Sequence, residues 1–77
     1  MSENMVDVTM HLDEDIQHEG REALRDKILQ QNGVYAAAYH DDKPHLMIIE
    51  YDPDTINSSI FLNLAKDKGV HAELISL

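Results

Sequence analysis

Five histidines, His11, His18, His40, His45 and His71, are the side chains of this chain best suited to chemistry. Acids accompany them. Asp13, Glu14, Asp15 and Glu19 lie within one stretch, MHLDEDIQHEGREAL, from Met10 to Leu24. Imidazole and carboxylate together suit a divalent transition metal, Zn(II), Ni(II) or Cu(II). Cu(I) is a different matter, because it needs thiolate or thioether. There is no cysteine among the 77 residues, and Met10 is the one soft donor near that stretch. The missing cysteines also exclude disulfides, Fe–S clusters and thiol nucleophiles. No two histidines form a tight spacing motif, so they make a site only if the fold gathers them. An ordinary solvated, histidine-rich end is the competing reading.

The elements that must do the gathering follow from periodicity. In MVDVTMHL, Met5–Leu12, Val6, Val8, Met10 and Leu12 alternate with Asp7, Thr9 and His11, the period of a half-buried strand. DEDIQHEGREALRDKILQQNG then gives a helix whose stripe is Leu24, Ile28 and Leu29 with Ala23 beside it. Its acids sit at the front, where the helix dipole favours them, and Gly33 stops it. VYAAAYH and HLMIIEY read as two strands joined by the turn DDKP. A second helix, IFLNLAKDKG, takes a cap from Asn57 or Ser58 and gives Ile60, Leu62 and Leu64 or Ala65 to the core. VHAELISL is the last strand.

The order β-α-β-β-α-β makes residues 1–77 a single α+β domain of the ferredoxin-like class. It predicts a four-stranded antiparallel sheet in the order 4-1-3-2, with both helices on one face. Alternating strand directions then bring all five histidines to one end of the sheet. His11 and His71 fall on the same face of neighbouring strands and form the predicted metal pair. A third ligand comes from His18 or from a carboxylate between Asp13 and Glu19. Protonation of imidazoles near neutrality also makes this end a candidate pH-sensing site.

Several landmarks carry a resemblance. Gly33–Val34 follows the first helix, Ile48-Ile49-Glu50-Tyr51-Asp52-Pro53 closes the third strand, and Gly69–Val70 precedes the last one. In order and spacing the chain resembles the heavy-metal-associated domains, the small ferredoxin-like copper chaperones and the metal-binding domains of P-type ATPases. The resemblance covers nearly the whole chain and implies a soft-metal carrier that works with protein partners. The family's M-x-C-x-x-C motif is absent. The two cysteine positions correspond to Gln17 and Gly20, and the loop after the first strand is a few residues longer. The resemblance therefore implies a binding module in which a metal is held by His and carboxylate.

Charge narrows the partners. Fifteen carboxylates against six Lys and Arg leave a net charge of −9, which disfavours nucleic acid and anionic membranes. The acidic run after the first strand complements the helix dipole; alternatively it docks a basic partner. No apolar run is long enough to span a bilayer. MSENMVDV lacks the features of a signal peptide, so a cytoplasmic protein is expected. The strand HLMIIEY is apolar on both sides. If Met47, Ile49 and Tyr51 meet the helices, then Leu46 and Ile48 face outward with Ala36, Ala38 and Ile75. Such a surface marks an interface, for a homodimer or another protein. The alternative function is therefore a metal-free interaction or regulatory domain acting through this open face. Catalysis is not expected. There is no Ser-His-Asp order, P-loop or dinucleotide fingerprint. The acylphosphatases share the fold class but need an Arg and a Gly-rich loop where this chain has HLDEDIQHEG.

Overall fold

A computed structural model describes residues 4–76. Met1–Glu3, within the amino-terminal segment read above, and Leu77, within the last strand, lie outside the described residues. The elements are β1 (Val6–Leu12), α1 (His18–Leu29), β2 (Val34–Tyr39), β3 (Leu46–Tyr51), α2 (Ser59–Asp67) and β4 (Ala72–Ser76). The sheet is antiparallel in the order β2-β3-β1-β4, the ferredoxin-like arrangement expected from the sequence. No helix among the described residues is long and apolar enough to cross a membrane.

Alternation decides which face is covered. Val8, Met10 and Leu12 of β1 and Met47, Ile49 and Tyr51 of β3 are buried together with Leu24 and Ile28 of α1 and Phe61 and Ala65 of α2. Both helices therefore pack on one side of the sheet. Tyr51 and Phe61 meet edge to face, with ring centroids 5.2 Å apart, a favoured aromatic geometry. Asp7↔Glu50, Thr9↔Ile48 and His11↔Leu46 are register partners on the opposite, uncovered side. Leu46, Ile48, Ala36 and Ala38 lie on that side, as the alternation of HLMIIEY predicts, because Ala36 pairs with Glu50 and Ala38 with Ile48. Ile75 is exposed next to a bulge in the β1–β4 pairing.

The helix stripes differ from the sequence reading. Leu29 is exposed, and Arg21 is buried in line with Leu24 and Ile28. The 21–24–28 spacing keeps one face of the helix; a long aliphatic stem lets arginine occupy it. In α2 the buried pair is Phe61 and Ala65, with Leu62 and Leu64 packed at the margin and Ile60 only partly buried. Ser58 is the cap position without a side-chain cap. The Asn57 side chain instead accepts the Ser59 N–H at 2.9 Å.

Gly33 fixes the return from α1 into β2. Its φ is +95°, and a Cβ there would stand 2.9 Å from Thr55 Cγ2 and 3.1 Å from Ile56 Cγ2. The Asp52 N–H donates to the Gly33 carbonyl at 2.7 Å. Asp52, itself buried, accepts from the Asp54 N–H and the Thr55 hydroxyl. The loop after β3 is thereby tied to the end of α1.

Candidate metal centre

The candidate centre lies where β1 ends, β4 begins and the loop 13–17 leads into α1. His11 is the last outward-facing residue of β1. Its Nδ1 lies 3.1 Å from Asp13 Oδ1, two residues on and on the same side of the chain. Glu73 is its register partner on β4. One ligand atom from each of His11, Asp13 and Glu73 comes within 4.8 Å of the others. That is one nitrogen and two oxygens, a set that suits a borderline or hard divalent cation.

Three of the other histidines, His71, His45 and His18, are engaged elsewhere. The register places Glu73, not His71, across from His11. Ala72 pairs with Leu12, which leaves His71 beside Asp13, whose N–H donates to the His71 carbonyl at 2.8 Å. The His71 side chain meets Glu14. The carboxylate accepts the His71 backbone N–H at 2.7 Å and stands 2.5 Å from its Nδ1. This contact holds the Glu14 carboxyl below its ordinary range and raises the His71 imidazole. His45 stacks on His11, with ring centroids 5.8 Å apart and planes 18° apart. Its Nδ1–H donates to the Leu12 carbonyl at 2.8 Å, and Nε2 lies 2.9 Å from Asp15 Oδ1.

His18 belongs to a second cluster, between α1 and the β2–β3 turn. Its Nδ1 is 3.0 Å from Asp41 Oδ1, which also accepts from Arg21 Nη2 at 2.9 Å. His18 and then Arg21 lower the Asp41 carboxyl. Arg21 Nη1 donates to the Ile16 carbonyl at 2.6 Å, so the buried guanidinium also anchors the loop before the helix. Arg21 and Arg25 both lie over the Tyr39 ring, 5.5 and 5.9 Å from its centre. The Tyr39 hydroxyl donates to Glu22. Burial, and then Glu22, raise the Tyr39 phenol.

Glu73 and the buried Arg21 are the site residues that sequence reasoning missed. Glu73 is two residues beyond His71 and shares its strand face, which is legible. The register that chooses between them is set by the start of β4 at Ala72 and is not. Met10 is fully buried in the core, so its thioether is not presented at the loop. A groove of about 530 Å³ between α2 and the start of β4, lined by Leu62, Lys66, Val70, His71 and Ala72, shares only Asp13 with the cluster.

No protein-family model matches the chain, and no curated protein sequence matches it significantly. Solved structures do. The solution structure of the putative copper-ion-binding protein from Bacillus anthracis str. Ames superposes with a TM-score of 0.82 at 14% identity, covering 94% of this chain and 100% of that one. The crystal structure of a copper binding domain from HMA7, a P-type ATPase, gives 0.79 at 14% identity, covering 91% and 93%. The apo form of the HMA domain of a copper chaperone for superoxide dismutase gives 0.71 at 15% identity, covering 94% and 68%. The chain shares the fold of these structures. On this fold, Gln17 is the residue that precedes α1 and Gly20 lies in its first turn. A Cβ on Gly20 would meet only Ile16, at 3.6 Å, an ordinary contact. A side chain fits there, and the sequence supplies none.

Proposed function

We propose that this chain is a non-catalytic binding module that holds a divalent transition metal through His11, Asp13 and Glu73 instead of Cu(I) through thiolates. The observation that carries this reading is the convergence of one imidazole nitrogen and two carboxylate oxygens on a shared centre. The names of the structural neighbours, which include copper-binding domains, support a metal role for the same fold. The donor chemistry here favours a different metal. Water completes the coordination sphere, as is usual for an exposed site with three protein ligands. His71, adjacent to Asp13, keeps its Nδ1 on Glu14, so its Nε2 is the atom that would serve as a fourth donor. His18 stays with Asp41 and Arg21.

Calorimetric titration with Zn(II), Ni(II) and Cu(II) tests the reading. We expect His11→Ala and Glu73→Gln each to lower affinity by tenfold or more, of the order of 1.4 kcal/mol. Affinity should also fall on acidification, since only neutral imidazole ligates. Equal affinities in wild type and both variants would return these residues to ordinary surface.

A second reading is an interaction domain that needs no metal and works through the uncovered side of the sheet, with a second copy or another protein on it. The observation favouring it is the exposure of Ile48 at 47% and Ile75 at 49%, with Leu46, Ala36 and Ala38 on the same surface.

A further inference from the structure

We propose that the uncovered side of the sheet docks a cationic protein segment with an apolar centre, and not a second copy of this chain. The proposal rests on the interaction reading given above and names its partner class.

The charged residues of this molecule are segregated. None of the four strands contains a Lys or Arg. Arg21, Arg25 and Lys27 are on α1, Lys66 is on α2, Lys68 follows it, and Lys43 is in the β2–β3 turn. The uncovered surface carries Asp7, Glu50 and Glu73 and no strand cation; Lys43, in the β2–β3 turn, borders it beside Ala38, Leu46 and Ile48. Its middle is apolar, with Ala38 and Ile48 side by side and Ile75 beyond Thr9.

The two ends of that apolar band are both acidic. At one end Asp7 and Glu50 are direct cross-strand partners. Like charges placed opposite each other destabilise a sheet, so this pair costs the free molecule stability that a cation on a partner would restore. At the other end stand Glu73 and Asp13, around His11. Asp7 and His11 are four residues apart on β1, which is about 13 Å of extended chain. A complementary partner therefore carries apolar side chains flanked by Lys or Arg roughly 13 Å apart.

A second copy does not supply this. Face to face about a two-fold axis, either end of one copy meets an acidic end of the other, and like charges across an interface oppose association. Apart from the single Lys43 at the margin of that side, the cations of a second copy are offered by its helices and the residue after α2. Helix-to-sheet stacking is head-to-tail and does not close into a dimer.

The test uses the full chain in a chelating buffer, which keeps it independent of any metal. The probe is a synthetic peptide of three apolar residues with two lysines at each end, which sets the inner lysines ~13 Å apart in an extended length of ~23 Å. A control peptide has glutamates in place of the lysines. Amide chemical shifts locate each peptide. We expect the lysine peptide to shift residues of the uncovered side, Thr9, Ile48, Glu50 and Ile75 among them. Asp7→Asn with Glu50→Gln should weaken it about tenfold, and Ile48→Ser to a similar degree. Raised salt should weaken it further. Shifts confined to α1 or α2, or an unchanged affinity in the Asp7/Glu50 double variant, would overturn the proposal. So would a dimer of the wild type, seen by sedimentation and dissolved by Ile48→Ser. If the glutamate peptide binds the same surface equally well, the interaction reading survives and the cationic partner does not. If neither peptide shifts that surface, both fall.

Discussion

The two sides of β3 offer a controlled comparison within six residues. Met47, Ile49 and Tyr51 point to the helices and are almost wholly removed from water; Leu46, Ile48 and Glu50 point the other way and are not. Ile49 and Ile48 are neighbours of the same type, yet one is at 0% exposure and the other at 47%. Composition cannot tell them apart. Only the first is explained by the fold of this chain. A single aliphatic side chain in water is ordinary; Ile48 draws interest because Leu46, Ala36 and Ala38 lie on the same side.

The largest effect should come from the covered side. Ile49→Ala removes buried methyl groups from the centre of the core and should destabilise the domain by about 2 to 5 kcal/mol, read as a lower midpoint in urea unfolding. Ile48→Ser should lie within about 0.5 kcal/mol of wild type. Similar losses for both would break the comparison, because the two sides would then be equally packed in solution.

The next effect tests the tie that closes the covered layer. Gly33→Ala places a Cβ at φ +95° and against Thr55 and Ile56. A left-handed conformation alone costs an L-residue about 1 to 2 kcal/mol, and the steric crowding adds to it. Thermal unfolding of Gly33→Ala beside Gly69→Ala separates the two contributions, since Gly69 has a φ of +78° and nothing within 4 Å of its added Cβ. Equal losses would mean that Thr55 and Ile56 give way without cost.

The uncovered side should respond in the opposite sense. Asp7→Asn relieves the cross-strand repulsion with Glu50 and should stabilise the free domain by roughly 0.2 to 1 kcal/mol. A loss of stability on this change would show that Asp7 has a favourable role in the monomer.

The smallest effect is a titration. His71 is raised and Glu14 lowered by their mutual contact. The His71 contribution is complete below 6.5 and is lost as pH rises through its raised value. The Glu14 contribution is complete above 4.5 and is lost as pH falls through its lowered value. The pair therefore favours the folded state most between those two values. Both groups are solvent-exposed, so the effect on stability is slight. NMR titration should find His71 above the ordinary imidazole range, and Glu14→Gln should bring it back down. No movement in the variant would dissolve the pair.

Much of the fold was legible because period-two and helical patterns are properties of short segments. Val8, Met10 and Leu12 declare the buried side of β1 by themselves, and Leu24 and Ile28 do the same for α1. Leu29 and Ile60 misled because hydrophobicity alone does not say where a helical stripe is centred. Arg21 and Phe61 decide that, through what their neighbours leave for them to fill. The candidate site was half legible for a related reason. His11 is placed by its own strand. Its partner depends on where β4 begins relative to β1, a relation between segments 60 residues apart in which a two-residue slide exchanges His71 for Glu73.

The edge of the sheet has a colloidal consequence. β2 is an outer strand, and from Gly33 to His40 the chain has no Asp, Glu, Lys or Arg. Natural edges are commonly guarded by charge, proline or a bulge, and β2 has the bulge, between Val34 and Ala36. The remaining guard is the net charge of −9 on the whole molecule, which keeps copies apart at neutral pH. That guard vanishes as pH approaches 4.6. Concentrated solutions should then turn cloudy in mild acid while the domain is still folded, and a single lysine at Ala38 should move the onset.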